Sequence, residues 1–217
     1  MSRKPLLIGL ILFSALAVSA WRIQCFSWDL ATTLWIQSIS LPGLEKLMVW
    51  VSVPGNGVWP PYALALIVYV AFFLSGKKHE AQCGAISAAG GVLLSSLSKW
   101  LVGRPRPSAD LVKVWSIIDN QSFPSGHVVH YVTFYGFLLC LTSWRMPNGF
   151  PRSTLQLLLG SLILLVGPSR IYLGAHWASD VIGGYLLGGV WLYFSLQVYW
   201  RYEATRLTSD SGKTLAR

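Results

Sequence analysis

The chain has 217 residues, 53% of them hydrophobic and only 12% charged, and its apolar residues fall in long blocks. That excludes an ordinary soluble domain and predicts an all-α polytopic membrane protein. The formal charge of +9 includes no basic run interleaved with a soluble module, which argues against nucleic acid as a partner. Three scattered cysteines, Cys25, Cys83 and Cys140, lack CxxC or Cys/His spacing; this argues against a disulfide framework or zinc site and leaves them as small apolar fillers.

In chain order, six blocks are each near the length that crosses about 30 Å of hydrocarbon: Leu6 to Trp21, Val58 to Leu74, Ala81 to Leu101, Val128 to Trp144, Leu155 to Ile171 and Ala178 to Trp200. The first also reads as a signal peptide, with small residues at Val18 and Ala20. Residues 22–57 are mixed in character, with Leu30, Leu34, Leu44, Leu47 and Val51 roughly at helical spacing. One or two short amphipathic helices along the outer interface are expected there. "LSGKKHEA" and "RMPNGFPRS" read as short inner loops, and 201–217 as a mobile cytoplasmic tail. Residues 102–126 are too long for a mere connection and form a candidate functional loop. Gly184 and Gly188 make a GxxxG in the last block, which predicts close helix packing. The whole of 1–217 is expected to be one integral membrane domain.

Orientation follows the basic residues. A cytoplasmic N-terminus puts Arg3, Lys4, Lys77, Lys78, Arg145, Arg152, Arg201, Arg206, Lys213 and Arg217 inside, and the C-terminus with them. Tryptophan and tyrosine at block ends, among them Trp21, Trp59, Tyr62, Trp144, Tyr199 and Trp200, suit the headgroup layer.

The outer side then holds a set of polar groups that a membrane chain should avoid. Lys99, Arg106, His127, Arg170, His176 and Asp180 all fall at similar depth, and each costs up to roughly 2.5–3.5 kcal/mol on insertion scales. Snorkelling accounts for any one of them alone; six together call for a shared ligand. A transferring phosphoryl group spreads negative charge over three oxygens and needs several rigid positive donors. Lys99, Arg106 and Arg170 can supply them, and the flanking Pro105 and Pro107 stiffen the segment presenting Arg106. In Pro124-Ser125-Gly126-His127, Ser125 is an expected N-cap and Gly126 permits close approach of an anion to the start of the next helix. His176 and Asp180, four apart, share a helix face, so the carboxylate can fix the imidazole tautomer and leave the other nitrogen as a nucleophile. His127 then suits the general acid.

Three pieces together, Lys99 with Arg106-Pro107, Pro124-Ser125-Gly126-His127, and Ser169-Arg170 with His176 and Asp180, resemble the signature of the type 2 phosphatidic acid phosphatase family, whose soluble relatives include vanadium haloperoxidases and bacterial acid phosphatases. The resemblance implies cofactor-free, metal-independent removal of phosphate from a lipid phosphate or pyrophosphate. It implies a phosphohistidine on His176 partnered by Asp180, with His127 as general acid and Lys99, Arg106, Ser125, Gly126 and Arg170 around the phosphate. Undecaprenyl pyrophosphate, phosphatidylglycerol phosphate and phosphatidic acid are the candidate substrates. The bilayer is the expected partner, with no obligate protein partner evident, and the site is expected on the periplasmic or extracellular face of a bacterial inner membrane. Ser169 fits a role in orienting Arg170; Arg104 and His130 lie outside the signature. Two other readings stand beside hydrolysis: a phosphotransferase discharging the phosphohistidine to another lipid, and an anion or lipid transporter, which predicts polar residues through the full membrane depth.

Overall fold

The computed structural model describes residues 4–57, 59–116 and 118–214, which form helices joined by turns and irregular loops. Arg3 and Arg217, expected as inner cations, and Val58, expected to open a membrane block, lie outside those residues. Helix α1 spans Lys4–Arg22, α2 Ser27–Ser38 and α3 Leu44–Ser52, followed by a 3-10 turn at Val53–Gly55. Then come α4 (Trp59–Leu74), α5 (Lys78–Val102), α6 (Gly126–His130), one π-helical stretch (Tyr131–Tyr135), α7 (Gly136–Arg145), α8 (Phe150–Tyr172) and α9 (Ala178–Thr214).

Four segments, Lys4–Arg22, Lys78–Val102, Phe150–Tyr172 and Ala178–Ala204, are long and apolar enough to cross a bilayer, and Pro61–Leu74 is apolar but shorter. The chain is an integral membrane protein. The block expected from Val128 to Trp144 is built from α6, the π stretch and α7 end to end. All five π residues are buried. A π turn leaves backbone groups out of the regular ladder, and two side chains address this region: Ser87 Oγ donates to the Thr133 carbonyl at 2.8 Å, and Tyr131 Oη donates to the Val51 carbonyl at 2.6 Å. The second bond ties the central helix to α3.

Between helices in lipid there is no water to expel, so close packing of small residues holds them together. The GxxxG of α9 does this as expected. A Cβ on Gly184 would sit 2.8 Å from Val128 Cβ, and one on Gly188 would sit 2.9 Å from Val132 Cβ. Helix α8 contains Pro168, whose missing N–H cannot serve the Leu164 carbonyl. Tyr185 Oη of α9 covers this defect, donating to Ile163 O at 2.7 Å and reaching Leu164 O at 3.3 Å.

Two local expectations change. "LSGKKHEA" is not all loop: α5 begins at Lys78, and His79 and Glu80 are buried. His79 stacks on Tyr199 and Tyr202, with ring centroids 4.9 and 3.9 Å away, while Glu80 and Glu203 hold Arg145 at 3.1 and 2.7 Å. Their partners come from α7 and α9, distant in sequence, so the polar letters alone read as loop. Secondly, α9 continues to Thr214, beyond its apolar block.

Candidate active site

Lys99 lies in the last turn of α5, which ends because Gly103 takes a left-handed conformation (φ 63°) and returns its N–H to the Lys99 carbonyl at 2.9 Å. The chain leaves as Arg104-Pro105-Arg106-Pro107, and the two arginines face opposite ways. Arg106 turns toward a cavity of about 610 Å³ lined by Lys99, Arg106, Gly126, His127, Arg170 and His176. The C-terminal ends of α5 and α8 and the N-terminal end of α6 therefore meet at one place, as the antiparallel succession of these helices requires.

His176 sits in the bend between α8 and α9. Gly174 allows that bend: its φ is 63°, and a Cβ there would lie 2.0 Å from the Lys113 carbonyl oxygen. The backbone N–H groups of Ala175 and His176 then fold back onto the Arg170 carbonyl, at 3.0 and 3.3 Å. His176 is 1% exposed. Arg106 Nη1 lies 3.1 Å from His176 Nε2; a guanidinium only donates, so Nε2 is the lone-pair nitrogen and Nδ1 carries the proton. Burial first, and then the positive charges of Arg106, Lys99 and Arg170, push the His176 pKa well below the usual histidine range. The ring is neutral at neutral pH.

Arg106 is itself clamped. Its Nε and Nη2 donate to Asn120 O and Oδ1 at 2.9 and 2.5 Å, and Nη1 donates to Ala175 O at 2.5 Å. Burial lowers its pKa to about 10, with Asp180 pulling the other way, so it remains a cation. Lys99 Nζ donates to the Gln121 carbonyl and lies 3.4 Å from that of Ser122. Arg170 donates to Ser52 Oγ, while its Nε is buried without a partner. His127 Nε2 is 2.9 Å from Asn56 Oδ1, which makes it the proton-bearing nitrogen of that ring.

Ser125 stands at the N-cap of α6 in an extended conformation, but its hydroxyl makes no capping bond and is buried without a partner. Its place is held by the backbone instead, Ser125 N–H donating to Asp180 O at 3.0 Å. A Cβ on Gly126 would meet Ser95 Oγ at 3.5 Å and Lys99 Cε at 3.8 Å, ordinary contacts, so protein packing does not demand glycine there. Ser169 is buried and donates to the Val166 carbonyl at 3.0 Å, inside its own helix and away from the cavity wall.

Asp180 lies behind His176, fully buried. Its Oδ2 is 3.6 Å from His176 Nδ1, longer than a hydrogen bond. Ser122 lies beside both: its hydroxyl donates to Asp180 Oδ2 at 2.5 Å and is 3.4 Å from Nδ1. Asp180 Oδ2 also accepts the Trp177 N–H at 2.9 Å, and Oδ1 accepts Arg104 Nη1 at 2.6 Å. Arg104 thus does not line the cavity, whereas His130 does, one turn along from His127.

Four further residues reach the site that the sequence motifs do not mark. Asp29 of α2 meets Arg104; Ser52 of α3 meets Arg170; Asn56 meets His127; and Ser122 meets Asp180. The first three come from the segment expected to lie along the interface. That segment does form two short helices, and it also walls the site. The sequence carried no local signal for these contacts, since Asp29 and Glu45 are both ordinary carboxylates of an amphipathic stretch.

Comparison with known proteins gives the family and the fold. The family profile described as "PAP2 superfamily" matches residues 81–204. An undecaprenyl-diphosphatase from Sulfolobus acidocaldarius is 30% identical over 165 residues, 71% of this chain and 70% of that protein. A phosphatidylglycerophosphatase B from Bacillus subtilis is 29% identical over 154 residues, covering 69% and 72%. The crystal structure of the transmembrane PAP2-type phosphatidylglycerolphosphate phosphatase of Bacillus subtilis superposes with a TM-score of 0.78 over 91% of this chain and 96% of that one, at 24% identity.

Proposed function

The chain belongs to the PAP2 superfamily and is a membrane lipid phosphatase, and we propose that it removes a phosphomonoester or pyrophosphate phosphoryl group from a lipid through a phosphohistidine. The carrying observation is His176: a neutral ring with its Nε2 lone pair 3.1 Å from Arg106, in a cavity also lined by Lys99, Arg170 and His127. Nε2 attacks phosphorus. An N–P bond forms, the P–O bond to the lipid or to its remaining phosphate breaks, and the leaving oxygen takes a proton from His127, which acts as the imidazolium that the anionic substrate beside it favours. Water then attacks the phosphohistidine, His127 takes its proton, and inorganic phosphate leaves with His176 restored. Lys99, Arg106 and Arg170, with Ser125 and the first-turn N–H groups at Gly126, hold the equatorial oxygens. Asp180, through Ser122 or directly after a small shift, balances the charge that grows on the imidazole. A cationic lining of this kind disfavours a divalent metal, so the reaction runs without one.

The lipid chain has a place as well. A cleft of about 250 Å³ between α4 and α5, lined by side chains such as Leu66, Phe72, Ala88 and Phe134, shares Tyr62, Val92 and His130 with the cavity. A headgroup in the cavity can therefore keep its tail in the cleft. In this reading six spans cross a bacterial inner membrane, both termini are cytoplasmic, and the site opens on the periplasmic or extracellular side. The placement of Lys77, Lys78, Arg145 and Arg152 at the opposite helix ends supports that orientation. Undecaprenyl pyrophosphate, phosphatidylglycerol phosphate and phosphatidic acid are the substrates to compare. The test is phosphate release from these three by purified protein in EDTA. Metal-independent release that His176→Ala abolishes is expected; release retained in the variant removes the nucleophile. Product analysis with an added acceptor lipid separates hydrolysis from phosphotransfer.

A further inference from the structure

Arg104 is 1% exposed and is the largest side chain without solvent access among the described residues. It lies between two carboxylates. Nη2 is 2.8 Å from Asp29 Oδ2 and Nη1 is 2.6 Å from Asp180 Oδ1, with all three side chains sealed from solvent. Its Nε donates to the Gln24 carbonyl at 3.0 Å, and Nη1 also reaches Ser179 Oγ at 2.6 Å. Asp29 is equally saturated, accepting the Ser179 N–H at 2.8 Å and hydroxyl at 2.7 Å. The network joins α2, the loop after α5 and the first turn of α9.

A single ion pair between Arg104 and Asp180, with a neutral acceptor such as an amide oxygen at position 29, would already satisfy the donors of Arg104 and Ser179. It would also neutralise Asp180, and a neutralised carboxylate is a poor counter-charge for the imidazole beside it. A second buried carboxylate costs desolvation energy that packing alone does not explain. Two carboxylates and one guanidinium leave one net negative charge, and the end of the trio nearest His176 is Asp180, 3.6 Å away.

We propose that Asp29 is a positioning residue of the catalytic centre: by neutralising Arg104 it leaves Asp180 with an effective negative charge for His176, which becomes positive as Nε2 bonds to phosphorus. This rests on His176 being the nucleophile. The charged and titratable groups facing His176 are Lys99 of α5, Arg104 and Arg106 of the loop, His127 of α6, Arg170 of α8 and Asp180 of α9. Every cation among them opposes an imidazolium, so the negative charge of the trio is the balancing element.

The test measures kcat, KM and the pH dependence of kcat/KM for the full-length protein in detergent, with thermal melts beside them. Asp29→Asn is close to isosteric and takes the trio from one net negative charge to zero. Its kcat at neutral pH should fall about tenfold with KM within about twofold, and the acid limb of kcat/KM should move to lower pH, because His176 loses a proton more easily. The double variant D29N/R104Q restores one net negative charge at Asp180. It should regain at least about fivefold in kcat over D29N, with the limb returning toward its wild-type position. A purely structural role moves stability and not the limb. Wild-type kcat in D29N, or a loss that the double variant does not relieve while both melt like wild type, overturns the proposal. Should D29N resist purification, the double variant alone decides: kcat within about fivefold of wild type supports the proposal, and a larger loss refutes it. A wild-type protein inactive on all lipid phosphates would instead refute the proposed function, which keeps the two failures apart.

Discussion

Replacing Arg106 by lysine keeps the charge and removes the fork. In the free enzyme the guanidinium is held at three oxygens, Asn120 O, Asn120 Oδ1 and Ala175 O, while Nη1 also faces His176 Nε2 at 3.1 Å. It is therefore preorganised beside the nitrogen at which the proposed mechanism places the phosphoryl group. A lysine ammonium at this position can reach one or two of those oxygens and cannot present a planar pair of donors to phosphate. Losing one preorganised donor to a developing oxyanion costs about 3 kcal/mol, or roughly 10²-fold. The expectation for R106K is thus a fall in kcat/KM of about 10²-fold, mostly in kcat, with melting little changed because the partners are partly exposed. Phosphate release under steady-state conditions measures it. A kcat/KM within about threefold of wild type would mean that charge alone is used, and the argument from the clamped geometry would be wrong.

Three other outcomes follow from the same coordinates. Because the His176 pKa is depressed, its neutral form, the nucleophile of the proposed mechanism, persists below the ordinary histidine range, so kcat/KM should hold down to below about pH 6.5 before its acid limb. In that window the unfolded chain binds the proton first, so stability rises with pH there; an acid limb lying above about pH 7, or a melt that rises as the buffer is acidified, contradicts the assignment. Gly174→Ala should be destabilised by about 2–4 kcal/mol and lose activity, since its φ of 63° and the Lys113 oxygen 2.0 Å from the new Cβ leave no room; an unshifted melt speaks against the bend as described. Gly126→Ala should melt like wild type, its Cβ meeting protein atoms at no less than 3.5 Å, yet raise KM about tenfold if phosphate approaches that backbone; an unchanged KM places the anion elsewhere.

The parts of the site legible in the sequence were those fixed by local spacing. Lys99 and Arg106 flank one helix end, Ser125 to His127 open one helix, and Arg170 to Asp180 bracket one bend, so short-range geometry brings each group to a predictable place. The helix end in "KWLVGRPRP" was readable because Gly103 terminates α5 by backbone rules. Arg104 was not assigned, since nothing local says which of two arginines two residues apart faces the cavity. Its direction is set by Asp29, 75 positions earlier, and such a pairing leaves no periodic trace. Ser52 and Asn56 were hidden for the same reason, within a stretch whose composition suggested only an amphipathic surface. The π stretch at Tyr131–Tyr135 was equally silent, because it is stabilised by Ser87 and Val51 of other helices.

The polypeptide between α1 and α4 touches three centres at once, through Asp29, Ser52 and Asn56. It lies outside the matched stretch that begins at residue 81. A chimera that transplants only the motif-bearing half into a relative would therefore arrive with foreign neighbours for Arg104, Arg170 and His127. Exchanges of headgroup preference between such proteins should be attempted with residues 22–57 moved as a unit with the rest.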